Sequence, residues 1–280
     1  MIEKALLPLC KLKTTKMKKI NFLKNATLIL CLSFLLINCT SEHKGEITPE
    51  QFPSNGLVAW YPFNGNANDL SGNSLNGIVN GATLTTDKNN IANKSYDFDY
   101  ANASFGSQND EITIPYSPLM NVSNITVSLW LYPRSYYWTG NPNDPTSTII
   151  NRFQKGYSTP NGQAWGVIFD NTSVTGFIVG SNGTGATSTV TNTALALNQW
   201  HHIVMTYNGN QIKLFLNGTL TSTQNYSGAM NTSGDSGISI GESNQANGYW
   251  YHTNGKIDNV GIWNRALTNS EIQQLYSSTN

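Results

Sequence analysis

The sequence predicts an all-β protein, either a β-sandwich or a barrel, and three observations lead to this prediction. From Asn55 onward, short apolar segments alternate with turns rich in Asn, Gly, Ser and Thr. The longest of these segments, residues 125–132, alternates apolar and polar side chains with the period of two that a strand requires. Asn208-Gly209 and Asn217-Gly218 stand between apolar segments at hairpin spacing.

The composition is compatible with one folded domain and unfavourable for nucleic-acid binding. The chain has 280 residues, of which 11% are aromatic, so it carries enough apolar surface to form a core. Only 11% are charged, against about 25% in an average globular protein. The 16 basic and 16 acidic residues cancel, and no basic stripe is present to displace the counterions of nucleic acid.

The charges are concentrated at the N-terminus, where the pattern is that of a targeting segment. Seven lysines precede residue 25 and only Glu3 opposes them. The apolar run that follows, residues 26–37, is shorter than the roughly 20 residues that span a bilayer. We therefore predict a signal peptide over residues 1–38, with Met17 as an alternative start of translation.

Leu36-Ile37-Asn38-Cys39 resembles a bacterial lipobox, in which the cysteine is lipidated and becomes the mature N-terminus. Asn38 departs from the usual small residue, and a plain secretory signal with a chance cysteine is the alternative. The resemblance implies lipidation of Cys39, export, and anchoring to the outer membrane of a Gram-negative bacterium. The acidic residues that follow Cys39 resemble, in addition, the export signals of surface lipoproteins. Residues 39–54 then form a polar tether, and residues 55–280 form a single domain.

The predicted elements follow in order along this domain. The strands cover residues 57–63, 95–98, 111–114, 125–132, 148–152, 165–169, 175–179, 203–207, 212–216, 237–240 and 256–263. One helix follows: Thr268 and Glu271 have the spacing of a capping box, and Ile272, Leu275 and Tyr276 share one apolar face. We expect this helix to lie as a short lid on the sandwich.

Three segments resemble the laminin-G-like, concanavalin A-like jelly-roll family, in its three-part bacterial form. They are residues 56–77, which begin Gly-Leu-Val-Ala-Trp-Tyr-Pro-Phe, then Trp200-His201-His202-Ile203-Val204 leading into residues 214–218, and finally residues 255–267. The resemblance implies a jelly-roll β-sandwich with one short C-terminal helix. It says less about function, because this fold hosts lectins, adhesins, enzymes and structural domains.

The segment around Asp258 predicts a bulge and a metal site. Ile257 and Val260 are three residues apart, so an extra residue near Asp258-Asn259 is needed to point both of them inward. The family resemblance implies a structural Ca²⁺ that joins Asp258 to the loop after the first strand. In that loop Asn64, Asn66 and Asp69 offer the oxygen ligands that calcium prefers, although Asn64 stands where the family commonly has Asp. The alternative is that Asp258 hydrogen-bonds the neighbouring turn without metal.

Catalytic motifs are missing from the sequence. No strand carries the Glu-x-Asp-x-x-Glu pattern that would place two carboxylates about 5 Å apart for glycoside hydrolysis. Asp97 and Asp99 share a face, and we assign them a structural role. Asp110-Glu111 and His201-His202 are adjacent pairs, so within each pair the side chains point to opposite faces. The sequence therefore predicts no enzymatic activity.

Two aromatic segments are the candidate ligand-binding residues. One contains Tyr136, Tyr137 and Trp138, and the other contains Tyr249, Trp250 and Tyr251. Three neighbouring rings cannot all enter one core, and exposed Tyr and Trp beside polar groups are typical of sugar recognition. The alternative is that these rings pack at the ends of the sandwich.

These observations together predict a non-catalytic, lipid-anchored cell-surface protein that binds glycan or another surface protein, in carbohydrate recognition or adhesion. The expected contact with membrane is through the lipid alone, and nucleic acid is not an expected partner. Two alternatives stay open: a polysaccharide-acting enzyme of the same fold, and a structural or protein-binding surface subunit.

Overall fold

Two antiparallel sheets face each other across one apolar core, and a single helix covers the outside of one of them. The computed structural model describes residues 52–99, 110–136, 146–153, 163–181, 186–191, 194–232, 234–244 and 250–278. All of these belong to one compact unit. The helices in this part of the chain are too short or too polar to cross a membrane.

Seventeen strands and one α-helix make up the described fold. The strands, β1 to β17 in chain order, are Leu57–Tyr61, Ile78–Asn80, Thr83–Thr85, Ser95–Phe98, Glu111–Ile114, Ile125–Pro133, Thr146–Phe153, Gln163–Asp170, Ser173–Val179, Ala186–Val190, His201–Tyr207, Gln211–Leu216, Thr219–Asn225, Ile238–Ile240, Glu242–Asn244, Trp250–His252 and Gly255–Trp263. The helix, α1, is Asn269–Ser278, and a 3₁₀ turn covers Pro118–Met120.

The strands form an eight-stranded sheet, a seven-stranded sheet and a small hairpin. The eight-stranded sheet has the order β13-β12-β11-β6-β17-β4-β3, with β1 added on β17. The seven-stranded sheet has the order β10-β9-β8-β7-β14-β5-β2, and β15 and β16 pair separately. All pairings are antiparallel, so the predicted all-β sandwich is confirmed.

The period of two decides which side chains enter the core. In β6, Val127, Leu129 and Leu131 are at most 1% exposed and belong to the main core, whereas Ser128 and Trp130 point to the outer face of the sheet. The predicted bulge in β17 is confirmed, because the register shifts between Asp258 and Gly261.

The outer face of the eight-stranded sheet carries a second, smaller core beneath α1. Leu267, Ile272 and Leu275 pack there on Val204, Phe215 and Trp263. The capping box is present: Glu271 Oε2 accepts the N–H of Thr268 at 2.8 Å, and Thr268 Oγ1 accepts the N–H of Glu271 at 3.3 Å. The helix is therefore the lid that its apolar face predicts.

The sequence pattern did not predict six of the strands, namely β2, β3, β10, β13, β15 and β16. Residues of β2 are all exposed, and β3 and β13 are mostly exposed, so no apolar alternation marks them. They lie at sheet edges, where pairing with a neighbour, and not burial, holds the backbone extended.

Candidate functional site

Arg134 and Asn254, each within three residues of one of the predicted aromatic segments, are bonded to each other. Arg134 follows β6 and Asn254 follows β16. The backbone N–H of Arg134 donates to the Asn254 carbonyl at 2.9 Å, and its Nε donates to Asn254 Oδ1 at 2.8 Å. The same guanidinium makes two bonds to the carboxylate of Asp97, at 2.5 and 3.0 Å. Asp97 thus fixes Arg134, which agrees with the structural role expected for it.

Two residues of the aromatic segments, Tyr136 and Tyr251, have described side chains, and their contacts differ. The Tyr136 ring is half-buried, its hydroxyl donates to the Leu195 carbonyl at 2.7 Å, and its edge meets Phe169. These contacts fit the packing alternative for this residue. Tyr251 is half-buried in β16, beside Trp250 in the same strand.

Tyr137, Trp138 and Tyr249 lie outside the described residues, as does the side chain of Trp250. Their assignment as ligand-binding residues stays a prediction.

The hairpin of β15 and β16 packs on β7. Buried polar side chains that the sequence pattern did not predict lie in and beside it. Glu242 and His252 face each other across the hairpin, with Nδ1 of the histidine 3.5 Å from Oε2 of the glutamate. Ser239 Oγ lies 2.5 Å from Oε1 of Glu111 and 2.7 Å from the Glu242 carbonyl. Glu111 and Glu242 come from distant parts of the chain, so no local motif predicts that both lie near Ser239. Both are at most 1% exposed, and the bond from Ser239 to the Glu242 carbonyl links the hairpin to β14.

A row of side chains crosses the outer face of the seven-stranded sheet beside this hairpin. Asn151 pairs with Gly166 on one side and with Ser239 on the other, and Gly166 pairs in turn with Phe177. Asn151 is fully buried, and both atoms of its amide lack a hydrogen-bond partner among the described residues. The buried Thr175 hydroxyl also lacks a hydrogen-bond partner among the described residues. Buried polar groups are normally satisfied, so this face has hydrogen-bonding capacity that the described fold does not use.

The side chains predicted to bind calcium are engaged with their own surroundings. Both Asp69 carboxylate oxygens are used inside the loop after β1, where they accept four hydrogen bonds of 2.8–3.0 Å from Trp60, Ser71 and Leu75. Asn66 Oδ1 accepts the N–H of Asn68 at 2.9 Å. Asn64 Oδ1 accepts a bond of 2.8 Å from Lys94 Nζ. Asp69 therefore shapes the loop from within.

Asp258 has its nearest partner in the next residue. It is 2% exposed, and its two oxygens accept the backbone N–H of Asn259 at 2.7 Å and the amide of Asn259 at 3.0 Å. Burial raises the pKa of Asp258 to about 8, and the Asn259 N–H, Lys88 and Lys94 act in the opposite direction.

In the described part of the chain, no three Asp, Glu, His or Cys side chains converge as a metal site would require. Asn64, Asn66, Asp69 and Asp258 each accept hydrogen bonds from their own surroundings, and calcium binding stays a prediction.

The two adjacent histidines are packed on opposite faces of β11, as predicted. His201 Nε2 lies 2.8 Å from the Ala196 carbonyl. His202 Nε2 lies 2.9 Å from Ser128 Oγ, and its ring stacks near Trp130 and Tyr276. Burial lowers the pKa of His202 to about 3, with Lys88 adding to the effect, so the imidazole is neutral at physiological pH.

A cavity of about 460 Å³ opens at the other end of β6 from Arg134. Its lining includes Leu119, Asn121 and Asn124. It lies beside the 3₁₀ turn and away from both aromatic segments.

The fold and the site can now be compared with known proteins. A family model of the concanavalin A-like lectin/glucanases superfamily, Laminin_G_3, matches residues 105–273. This chain belongs to that superfamily. None of the curated proteins compared with the sequence matches it.

Solved structures of this concanavalin A-like fold include binding domains of larger proteins. The binding domain of Paraclostridial Mosquitocidal Protein 1 has a TM-score of 0.60 and 20% identity, over 80% of this chain and 52% of that one. Domain 4 of AbnA, a GH43 extracellular arabinanase from Geobacillus stearothermophilus, was solved with arabinotriose; it has a TM-score of 0.57 and 20% identity, over 79% and 98%. The binding domain of Botulinum Neurotoxin DC, in complex with SialylT, has a TM-score of 0.58 and 14% identity, over 81% and 52%.

This chain thus spans about half the length of the toxin binding domains that it matches and nearly all of the arabinanase domain. Identities this low establish the fold that these domains share.

Proposed function

We propose that this protein is a non-catalytic, lipid-anchored surface protein whose domain binds glycan through the two aromatic segments. The observation that carries the proposal is the junction of Arg134 and Asn254. This junction is fixed by two direct bonds and by Asp97, and it joins Arg134, two residues before Tyr136, to Asn254, three residues after Tyr251.

The chemistry of this region suits a sugar. Tyr and Trp rings stack on the apolar C–H face of a pyranose or furanose, and amides and hydroxyls bond its hydroxyl groups. Tyr251, which is half-buried in β16, contributes one such ring. Tyr136 belongs to the support of the site, since its hydroxyl already bonds Leu195.

The related structures support a binding role of this kind. The arabinanase domain was solved with arabinotriose and the Botulinum Neurotoxin DC binding domain with SialylT, while the same toxin domain was also solved with rat synaptotagmin II. Glycan is therefore the first candidate ligand for this chain, and a surface protein is the second.

The test is a glycan array followed by a polysaccharide pull-down with the mature protein. We expect Trp138→Ala and Trp250→Ala each to lower glycan affinity about tenfold or more, because the loss of one stacking ring at a binding site commonly costs more than 1 kcal/mol. Leu119→Ala is the matched control, since it removes an exposed side chain at the opposite end of β6. Unchanged binding in both tryptophan variants would rule out this site.

A further inference from the structure

Lys88 and Lys94 are both presented by the loop that joins β3 to β4. Asp87 organises this loop, because its Oδ1 accepts the backbone N–H groups of Asn89 at 2.9 Å and Ile91 at 2.8 Å. A second backbone bond, from Asp87 N to the Ile91 carbonyl, closes the same turn. The fold itself therefore sets the direction in which the two lysines leave the loop.

Lys94 reaches the loop after β1. Its Nζ donates to Asn64 Oδ1 at 2.8 Å, and the adjacent backbone bond from Gly65 N to the Asn93 carbonyl, also 2.8 Å, joins the two loops. Asn64 is the residue that stands where the family resemblance implies an Asp. The amide oxygen that was predicted to bind calcium thus faces an ammonium group of the chain.

Lys88 lies on the outer face of the eight-stranded sheet, next to Asp258. Its Nζ is 5.2 Å from the centre of the Trp130 ring, a cation–π distance, and Trp130 pairs directly with Asp258 across β6 and β17. Burial is the largest effect on the pKa of Asp258 and raises it, and Asp87 adds to that effect, while the charges of Lys88 and Lys94 oppose both. Burial lowers the pKa of Lys88, and Asp258 and then Asp87 oppose that effect.

We propose that Lys88 and Lys94 supply the positive charge between Asp258 and the loop after β1, in the position that the sequence predicts for a divalent cation. Two fixed ammonium groups carry the same charge as one Ca²⁺ ion. An added ion would have to displace Lys94 from Asn64 and approach both lysines against their repulsion. The loop that would receive the ion is already closed, because the Asp69 carboxylate bonds Trp60, Ser71 and Leu75. This inference is independent of what ligand the protein binds.

Both tests are run at pH 9, above the pKa of about 8 that burial gives Asp258, so that its carboxyl group is ionised. The first test is thermal unfolding of the mature wild-type protein in calcium chloride and in EDTA. We expect the same Tm in both. Lys88→Met and Lys94→Met should each lower the Tm by about 2–4 °C, the shift that a loss of about fivefold in the folding equilibrium causes in a domain of this size. The matched control is Lys213→Met, on β12 of the same sheet, which should leave the Tm unchanged.

The second test asks whether the lysines act on Asp258. Adding Asp258→Asn to Lys88→Met should recover most of the lost Tm, whereas adding it to Lys213→Met should not raise the Tm. In the double variant Lys88→Met/Lys94→Met, where Asp258 keeps its carboxylate, calcium should raise the Tm.

A wild-type Tm that falls in EDTA and returns with calcium would overturn the proposal in favour of a bound ion. A Lys88→Met variant whose Tm is unchanged, as expected for Lys213→Met, would overturn it as well. If the methionine variants do not fold, Lys88→Arg and Lys94→Arg, which keep the charges, should retain the wild-type insensitivity to EDTA, and a new EDTA sensitivity in them would count against the proposal.

Discussion

At the scale of single residues, His202 shows how strongly the fold sets the chemistry of a side chain. The sequence places it beside His201 in a strand, and both could have served as ligands or bases. Its imidazole is 1% exposed, bonded to Ser128 and enclosed by Trp130 and Tyr276. Such a group is excluded from acid–base work, because its charged form would lose its hydration without gaining a partner.

This burial predicts a pH dependence of stability. The pKa of His202 is about 3 in the folded protein and about 6.5 in an unfolded chain, so the stability it contributes is complete above pH 6.5 and is lost as the pH falls toward 3. We expect the Tm of wild type to fall more steeply between pH 6.5 and 4 than that of His202→Gln, which keeps an acceptor for Ser128. Parallel Tm curves for the two proteins, measured by circular dichroism, would contradict the prediction.

At the scale of elements, α1 depends on its first turn and on one ion pair. Arg265 bonds both carboxylate oxygens of Glu271, at 2.5 and 2.9 Å, and its Nε donates to the Asn55 carbonyl. The hydrogen bonds from Arg265 hold the pKa of Glu271 down, to about 2, and those from Thr268 add to the effect. The helix start is thereby tied to the chain that enters β1.

We expect Thr268→Ala to lower stability by about 1 kcal/mol, the usual cost of losing an N-cap side chain. The corresponding fall in Tm is about 2–4 °C. Ser270→Ala is the control, because Ser270 is exposed in the same turn. Equal unfolding midpoints for the two variants in urea would show that the cap contributes nothing beyond its helix propensity.

At the scale of the whole molecule, the predicted signal peptide carries much of the positive charge of the chain. Removal of residues 1–38 takes away seven of the 16 basic residues and one of the 16 acidic residues, which leaves nine against fifteen and a net charge of −6. If residues 1–38 are removed as predicted, the balanced charge of the full chain is the sum of a cationic targeting segment and a mildly acidic mature protein. An acidic surface is a poor match for nucleic acid or anionic lipid headgroups and is compatible with neutral glycans.

The anchor itself is tested by detergent partitioning. If Cys39 is lipidated, the wild-type protein should enter the detergent phase, and Cys39→Ser should remain in the aqueous phase, because an acyl chain contributes about 0.8 kcal/mol per buried methylene. Cys31→Ser is the control, since Cys31 lies in the segment predicted to be removed. A Cys39→Ser protein that partitions like wild type would exclude the anchor.

The sequence by itself determined the fold class, the buried strands, the bulge at Asp258 and the capped helix. Each of these follows from local periodicity or from a short motif, such as the alternation in β6 or the pair Thr268 and Glu271. The edge strands β2, β3 and β13 escaped detection for the same reason, since their exposed residues carry no periodic signal.

Only the tertiary structure decided which side chains meet. Arg134 and Asn254 are distant in the chain, as are Glu111 and Ser239, and their contacts arise from the order of strands across the sheets, which no local pattern contains. The same holds for Lys94 on Asn64: the sequence offers oxygens suited to calcium, but the β3–β4 loop brings an ammonium group to one of them. Local spacing specifies backbone geometry, whereas the charge beside a carboxylate depends on which loops the fold brings together.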